Sequence, residues 1–387
     1  MKFDFSQYNF YDNHTHVLDM DKPVVTVDQF LKSYNHGPMS SRDEDGAKFP
    51  SRKHLDTLRD LPMVLMLVHF MAERFGCEET VEAVVEARNK AIGGTEEGIR
   101  KYVQSLYDEE HIVSSTLESE LPMGHPLTAC IPNHVNRLFR FEDVYFDLLK
   151  KENSFETLLE KLEMSITDAV SQGFMGIKGH IAEKCGMNAY LVTPDEAEKC
   201  FAKAKEGDRE AFRAVYYAMF DQILYLCAEL DISIHIHTGS TGMRGNTTVY
   251  SHDPVLLAPF LSDGRHEKTN IVMLHGGFPF TRNAAIMAYN FPNIYVDFSQ
   301  TLPWQGLGFA AMLKEVMGQA PHSRIMLGSG QHGAFEGAWA AAKSSKIAMA
   351  KVMSELVDDG LLSEKRAEES ARMVLSENAR RLYGEIE

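Results

Sequence analysis

The sequence predicts an α/β protein of the (β/α)8 class, a TIM barrel with a helical insertion after its first strand, and three observations carry that expectation. Eight short runs rich in β-branched and aromatic residues recur along the chain. Amphipathic stretches long enough to cross back over a sheet separate several of them, the pattern of repeated βα units. Polar residues of metal-binding type stand at the carboxyl ends of the runs, where this fold keeps its active sites.

The first run ends in Tyr11-Asp12-Asn13-His14-Thr15-His16. On an extended strand residues i and i+2 point the same way, so both imidazoles can converge on one metal ion. The pair alone is a common pattern, and exposed or hydrogen-bonded histidines account for it equally well. Residues 19–110 then break the rhythm, with helical patterns over 55–75 and 78–107. This segment reads as an insertion over the barrel mouth, either padding or a wall of the substrate pocket. It contains no low-complexity tract or proline-rich linker and is expected to pack onto the barrel. The remaining strands are expected at 113–116, 137–141, 174–179, 232–237, 271–275, 294–298 and 325–328. Helices are expected at 154–172, 208–230 and 302–317. Residues 1–387 thus read as one barrel domain, a length that barrels with insertions reach.

Composition narrows the function. The 55 acidic against 39 basic residues give a formal charge of -16, without the basic footprint that a nucleic acid or an anionic membrane surface would need. The expected partner is a small molecule, with homo-oligomerisation left open. Five scattered cysteines lack CxxC spacing, so neither a disulfide framework nor a thiolate zinc site is indicated. Residues 1–9 carry no apolar signal core, and the apolar run 61–70 is too short to span a bilayer and contains His69. The expectation is a soluble, cytoplasmic protein. The glycine-rich segment 328–333 lacks the Gly-Lys-Ser/Thr ending of a phosphate loop. Met63, Met66 and Met71 read as core filler, and the charged run 364–369 as a solvated helix face.

The strand ends carry the chemistry: His14 and His16 on the first, Lys178 on the fourth, His235 and His237 on the fifth, His275 on the sixth and Asp297 on the seventh. With Gly173-Phe174-Met175-Gly176-Ile177-Lys178, Ile236-His237-Thr238-Gly239, Leu274-His275-Gly276-Gly277-Phe278-Pro279 and Asn293-Ile294-Tyr295-Val296-Asp297 in that order, the chain resembles the amidohydrolase superfamily. It is similar to the amidohydrolase-2 branch that includes the nodulin-like domain fused to glutamine synthetase. The resemblance implies that His14, His16, His237 and His275 hold a divalent metal, with zinc the best match to imidazole ligands. It puts Lys178 at the strand-four position, either as a carbamylated metal bridge or, unmodified, as a ligand for a substrate carboxylate. His235 lies two residues deeper than His237 and reads as a hydrogen-bonded interior histidine.

The chain departs from the family at strand eight, where Leu327-Gly328-Ser329-Gly330-Gln331-His332 puts Gly330 in the place of an aspartate. That aspartate is the usual base for the attacking water. Three explanations stand. His332, Glu336 or Asp297 has taken over proton transfer; hydrolysis is lost and binding kept; or the glycine is an introduced inactivating change. The first is favoured, because the four imidazole positions are intact. The implied reaction is hydrolysis of an amide-type C–N bond by metal-activated water, with His275, His332 and Glu336 as candidates for proton handling. Arg140, Lys178 and Lys184 stand at or beyond strand ends and are candidates to bind a substrate carboxylate. The alternatives are a non-hydrolytic relative, uronate isomerase-like or a decarboxylase, and a catalytically impaired binding protein.

Overall fold

The computed structural model describes residues 1–34, 41–42, 48–49, 52–239, 248–300 and 306–386. Eight strands lie side by side in chain order: β1 (Phe10–Thr15), β2 (Ile112–Glu118), β3 (His134–Arg140), β4 (Gly176–Gly179), β5 (Ser233–His237), β6 (Ile271–Leu274), β7 (Ile294–Asp297) and β8 (Ile325–Met326). Every neighbouring pair is parallel. The backbone N–H of Asn13 donates to the Leu327 carbonyl at 3.0 Å and that of Gly330 to the His14 carbonyl at 2.7 Å. These bonds bring the last strand to the first and close the predicted (β/α)8 barrel. Strands covered by helices outside and packed side chains inside have no solvated face, and all six β1 residues are accordingly buried.

Strand edges move by one to three residues from the expected ones, for local reasons. β6 stops at Leu274 because His275 takes a left-handed backbone, φ 68°. β4 begins at Gly176, where a β-carbon would lie 2.8 Å from the Ser233 carbonyl of the adjacent strand. The helices at 154–172 and 208–230 are found as Phe155–Ser171 and Arg209–Glu229. The one expected at 302–317 is found as Phe309–Met317, and residues 302–305 lie outside the described residues.

Between β1 and β2 the two long helical patterns each divide. Pro62 lacks a donor and opens a new helix, so 55–75 becomes Arg52–Leu58 and Pro62–Phe75. Gly93 and Gly94, both with positive φ, end Val81–Ile92, and Thr95 caps Glu96–Glu109 by accepting from the Gly98 N–H. A further helix, Val27–Ser33, starts on a Thr26/Gln29 capping box. These helices meet the loops that follow β7 and β8. Arg88 Nε lies 2.7 Å from Glu336 Oε1, and the Tyr34 hydroxyl donates to Glu336 Oε2 at 2.7 Å. Gly306 sits so close to the start of the Pro62 helix that a β-carbon would come within 2.8 Å of Met63 N. Inside the barrel, Tyr11, Val272, Leu274, Tyr295 and Met326 pack with Ala379 and Tyr383 from the carboxyl terminus. Glu385 accepts from Ser114 Oγ and Asn136 Nδ2 at the amino-terminal ends of β2 and β3.

Candidate metal centre

The carboxyl ends of β1 and β2 place three donors together. His14, His16 and Glu118 offer ligand atoms within 4.8 Å of one another, with Glu118 Oε2 3.4 Å from His14 Nε2 and 3.5 Å from His16 Nε2. From β4, Lys178 Nζ approaches Glu118 Oε2 at 3.3 Å. His237 and His275 complete the ring, their centroids 4.3 Å apart and that of His14 5.4 Å from His275. All but His16 are buried.

Burial, reinforced by neighbouring cations, holds the imidazoles of His14, His237 and His275 well below the ordinary histidine range, so they stand neutral and able to coordinate. Burial opposes ionisation of Glu118, but Lys178 and the surrounding histidines outweigh it and keep its carboxyl well below the usual carboxylate range. His237 Nε2 is buried with no hydrogen-bond partner among the described residues. Such atoms are costly unless something absent from the polypeptide meets them. His275 Nδ1 lies 3.0 Å from the Ser299 carbonyl, which assigns the ring proton to Nδ1 and the lone pair to Nε2. The donor set therefore fits a divalent cation.

A second layer lies against this ring. His180 Nε2 is 3.0 Å from Lys178 Nζ, while its Nδ1 is 2.8 Å from Glu142 Oε2. Tyr216 donates to the other oxygen of Glu142. Burial opposes ionisation of the Glu142 carboxyl, but the His180 and Tyr216 hydrogen bonds hold it below its ordinary value. Burial pushes Asp297 up to about 6, and its oxygens accept from Asn13 Nδ2 at 2.9 Å and from the Ser299 N–H at 2.9 Å. His332 is exposed and stacks on His16 at 3.6 Å between centroids.

The sequence-derived residues divide accordingly. His14, His16, Lys178, His237 and His275 come together. His332 joins them at the rim. Glu336 lies apart, its carboxylate taken by Arg88 and Tyr34. Arg140 stands at the mouth with three acidic neighbours, Glu118 at 3.5 Å, Glu120 at 2.6 Å and Asp143 at 3.3 Å. Lys184 Nζ sits over the Phe146 ring at 5.0 Å. His235 lies in the barrel interior, its Nε2 3.0 Å from the Tyr383 hydroxyl and its pKa lowered by burial to about 3.

Glu118, His180 and Glu142 are absent from the sequence reading. Glu118 shares the inward period-two face of Ser114 and Thr116, and Lys178-Gly179-His180 repeats the i, i+2 spacing of the histidine pair. Gly330 has φ 57°, and a β-carbon there would lie 2.2 Å from Gln300 Cγ and 2.6 Å from Gln300 N. The missing aspartate has no vacant place: Gln300 fills it.

Comparison with known proteins agrees with the sequence motifs. A family model described as amidohydrolase matches residues 200–384. Over 250 residues, 60% of this chain, there is 25% identity to Protein fluG of Emericella nidulans; the match spans 28% of that protein's length. A Lactobacillus casei protein provisionally described as a metal-dependent hydrolase has a similar structure, with TM-score 0.80, 19% identity, and coverage of 99% of this chain and 98% of that one. Uronate isomerase from Thermotoga maritima follows with TM-score 0.64 and 15% identity, covering 97% and 94%. At these identities the structural likenesses establish the shared barrel.

Proposed function

We propose that this chain, an amidohydrolase-superfamily barrel by its match over residues 200–384, is a divalent-metal enzyme that hydrolyses an amide-type C–N bond of a small, carboxylate-bearing substrate. The observation that carries the reading is the convergence of His14, His16, His237 and His275 with the Glu118 carboxylate, with His237 Nε2 buried and without a hydrogen-bond partner among the described residues. Imidazole-rich ligation favours zinc. A bound ion supplies an activated water with a pKa of about 7 and polarises the scissile carbonyl.

The protein's own groups do the rest. Lys178 neutralises Glu118 from one side, keeping the cage close to zero net charge before an ion enters. His180, fixed by Glu142, and His332, stacked on His16, are the imidazoles placed to move the proton in the absence of a strand-eight carboxylate. Arg140 is the rim cation for a substrate carboxylate. Of its three acidic neighbours, Glu120 and Asp143 have side chains 67% and 49% exposed, so these two hold it weakly and can be exchanged for a ligand, while the buried Glu118 stays 3.5 Å from it.

A second reading, isomerisation or decarboxylation on the same centre, draws support from Gln300 filling the place of the usual general base. Metal content per chain, in parent and His14→Ala/His16→Ala protein, tests the centre: near-stoichiometric metal that vanishes in the variant is expected, and a metal-free parent would overturn it. Product analysis separates the reactions. Released amine or ammonia supports hydrolysis, whereas an aldose-to-ketose change or carbon dioxide refutes it. Turnover of an acidic substrate that is unchanged in Arg140→Ala would remove Arg140 from the site.

A further inference from the structure

We infer that Tyr383, four residues before Glu387 and on the far side of the barrel interior, is a positioning residue for the metal centre, acting on two ligands through one continuous chain of buried hydrogen bonds that meet at Asp297. The inference rests on the metal-centre reading above. The Tyr383 hydroxyl donates to Asn13 Oδ1 at 2.9 Å. At 3.0 Å from His235 Nε2 it accepts in turn, because its single proton is already committed to Asn13. Asn13 Nδ2 donates to Asp297 Oδ2 at 2.9 Å. Asp297 Oδ1 accepts from both the N–H and the hydroxyl of Ser299. The Ser299 carbonyl accepts from His275 Nδ1 at 3.0 Å.

These donor and acceptor assignments are mutually compatible, with His275 Nδ1 also 3.0 Å from Ser299 Oγ, so the chain runs without conflict from Tyr383 to a metal-binding imidazole. All its members are buried, with Asn13, Asp297 and Ser299 at zero exposure. No water is needed to complete it.

The chain reaches the centre twice. Its far end fixes the tautomer of His275, and Asn13 is the neighbour of His14 on β1. The Asn13 side chain has two hydrogen-bonded partners among the described residues, the Tyr383 hydroxyl and Asp297. Removing the hydroxyl therefore leaves Oδ1 unsatisfied and frees the amide to turn, loosening the grip on Asp297. Outer-shell groups of metal sites commonly change affinity by about 10–100-fold when removed. Tyr383 acts from further out, and the low end of that range applies.

The test uses Zn2+ and Co2+ alone, with no substrate. Tyr383→Phe should weaken Zn2+ binding about tenfold and shift the visible spectrum of the Co2+ form. Tyr295→Phe is the control: its ring belongs to the same interior cluster, but its hydroxyl meets Arg324 at 3.2 Å and not this chain. It should match the parent. Combining Tyr383→Phe with Asp297→Asn should weaken binding no more than Asp297→Asn alone, because both cut one chain. Additive losses, a parental Co2+ spectrum in Tyr383→Phe, or equal changes in the two tyrosine variants would overturn the inference. Should Tyr383→Phe not fold, 3-fluorotyrosine at position 383 keeps ring and hydroxyl while changing the hydrogen-bond strength. The 15N signals of His275 in metal-free protein, assigned with His275→Gln, give a readout independent of metal. They should move in Tyr383→Phe and stay in Tyr295→Phe, and unmoved signals overturn the inference. A parent that binds no Zn2+ would instead overturn the metal-centre reading, with the imidazole signals still deciding the role of Tyr383.

Discussion

Replacing Arg88 by methionine should separate a docking function of Glu336 from a chemical one. Arg88 and Glu336 have side chains 4% and 1% exposed and meet at 2.7 Å. The Arg88 guanidinium also lies 4.8 Å from the Phe335 ring centroid. Without it the Glu336 carboxylate stays buried with the Tyr34 hydroxyl. Removing one partner of such a pair costs about 3–5 kcal/mol, because an uncompensated charge is left behind. At an unfolding entropy of about 2 cal/mol/K per residue, 4 kcal/mol lowers the Tm of a chain this long by about 5 °C. The double variant Arg88→Met/Glu336→Leu removes both charges and should recover most of that loss, since apolar replacements of buried pairs are neutral or stabilising by about 1–4 kcal/mol. Thermal unfolding of the three proteins reads this directly. A single variant within about 1 kcal/mol of the parent, or a double variant no better than the single, would refute the view that this pair holds the insertion to the strand-eight loop.

Gly330→Asp should not raise hydrolytic turnover above the parent's and should lower stability, because its β-carbon would press against Gln300 Cγ and lie 2.6 Å from a backbone nitrogen; a well-folded variant with higher turnover would contradict this. Metal-free protein should lose stability as pH falls below about 6.5. Burial holds His14, His235, His237 and His275 neutral in the folded state, so the unfolded chain alone takes up their protons. Asp12 and Asp297, pushed up by burial to about 7 and about 6, act in the opposite sense over their own window. Four imidazoles against two carboxyls leave a net loss of about 3 kcal/mol per pH unit near pH 5. A Tm that rises on acidification from pH 7 to pH 5 would refute the assignment.

The barrel was legible because short runs rich in β-branched and aromatic residues alternate with helical stretches, and because its chemistry sits where the strands end. His14, His16, Lys178, His237 and His275 follow from that rule. Glu118 did not stand out, since a glutamate closing Ser-Ser-Thr-Leu-Glu looks like any polar residue at a strand exit; only the inward partners on neighbouring strands reveal it. Glu336 lay at a plausible distance from the site in sequence, but its partner Arg88 is 248 positions away, and no local pattern announces such a pair. Gln300 was hidden for a backbone reason. Its left-handed φ of 58° accompanies a placement of its own backbone and side chain against Gly330, a conformation that residue type does not encode.

Closure between β1 and β8 also sets an order of assembly. His14 and His16 are near the start of the chain, Glu118 follows after about a hundred residues, and the backbone that pins β1 from its other side comes from Leu327 and Gly330. Contacts of such sequence separation form late, because their loop-closure cost must be met before they reward it. Until the eighth strand arrives, the first two imidazoles stand on a strand with one neighbour and no fixed angle. An ion captured by the growing chain would find a different and poorer set of donors, so on the metal-centre reading the full donor set exists only once the ring has shut.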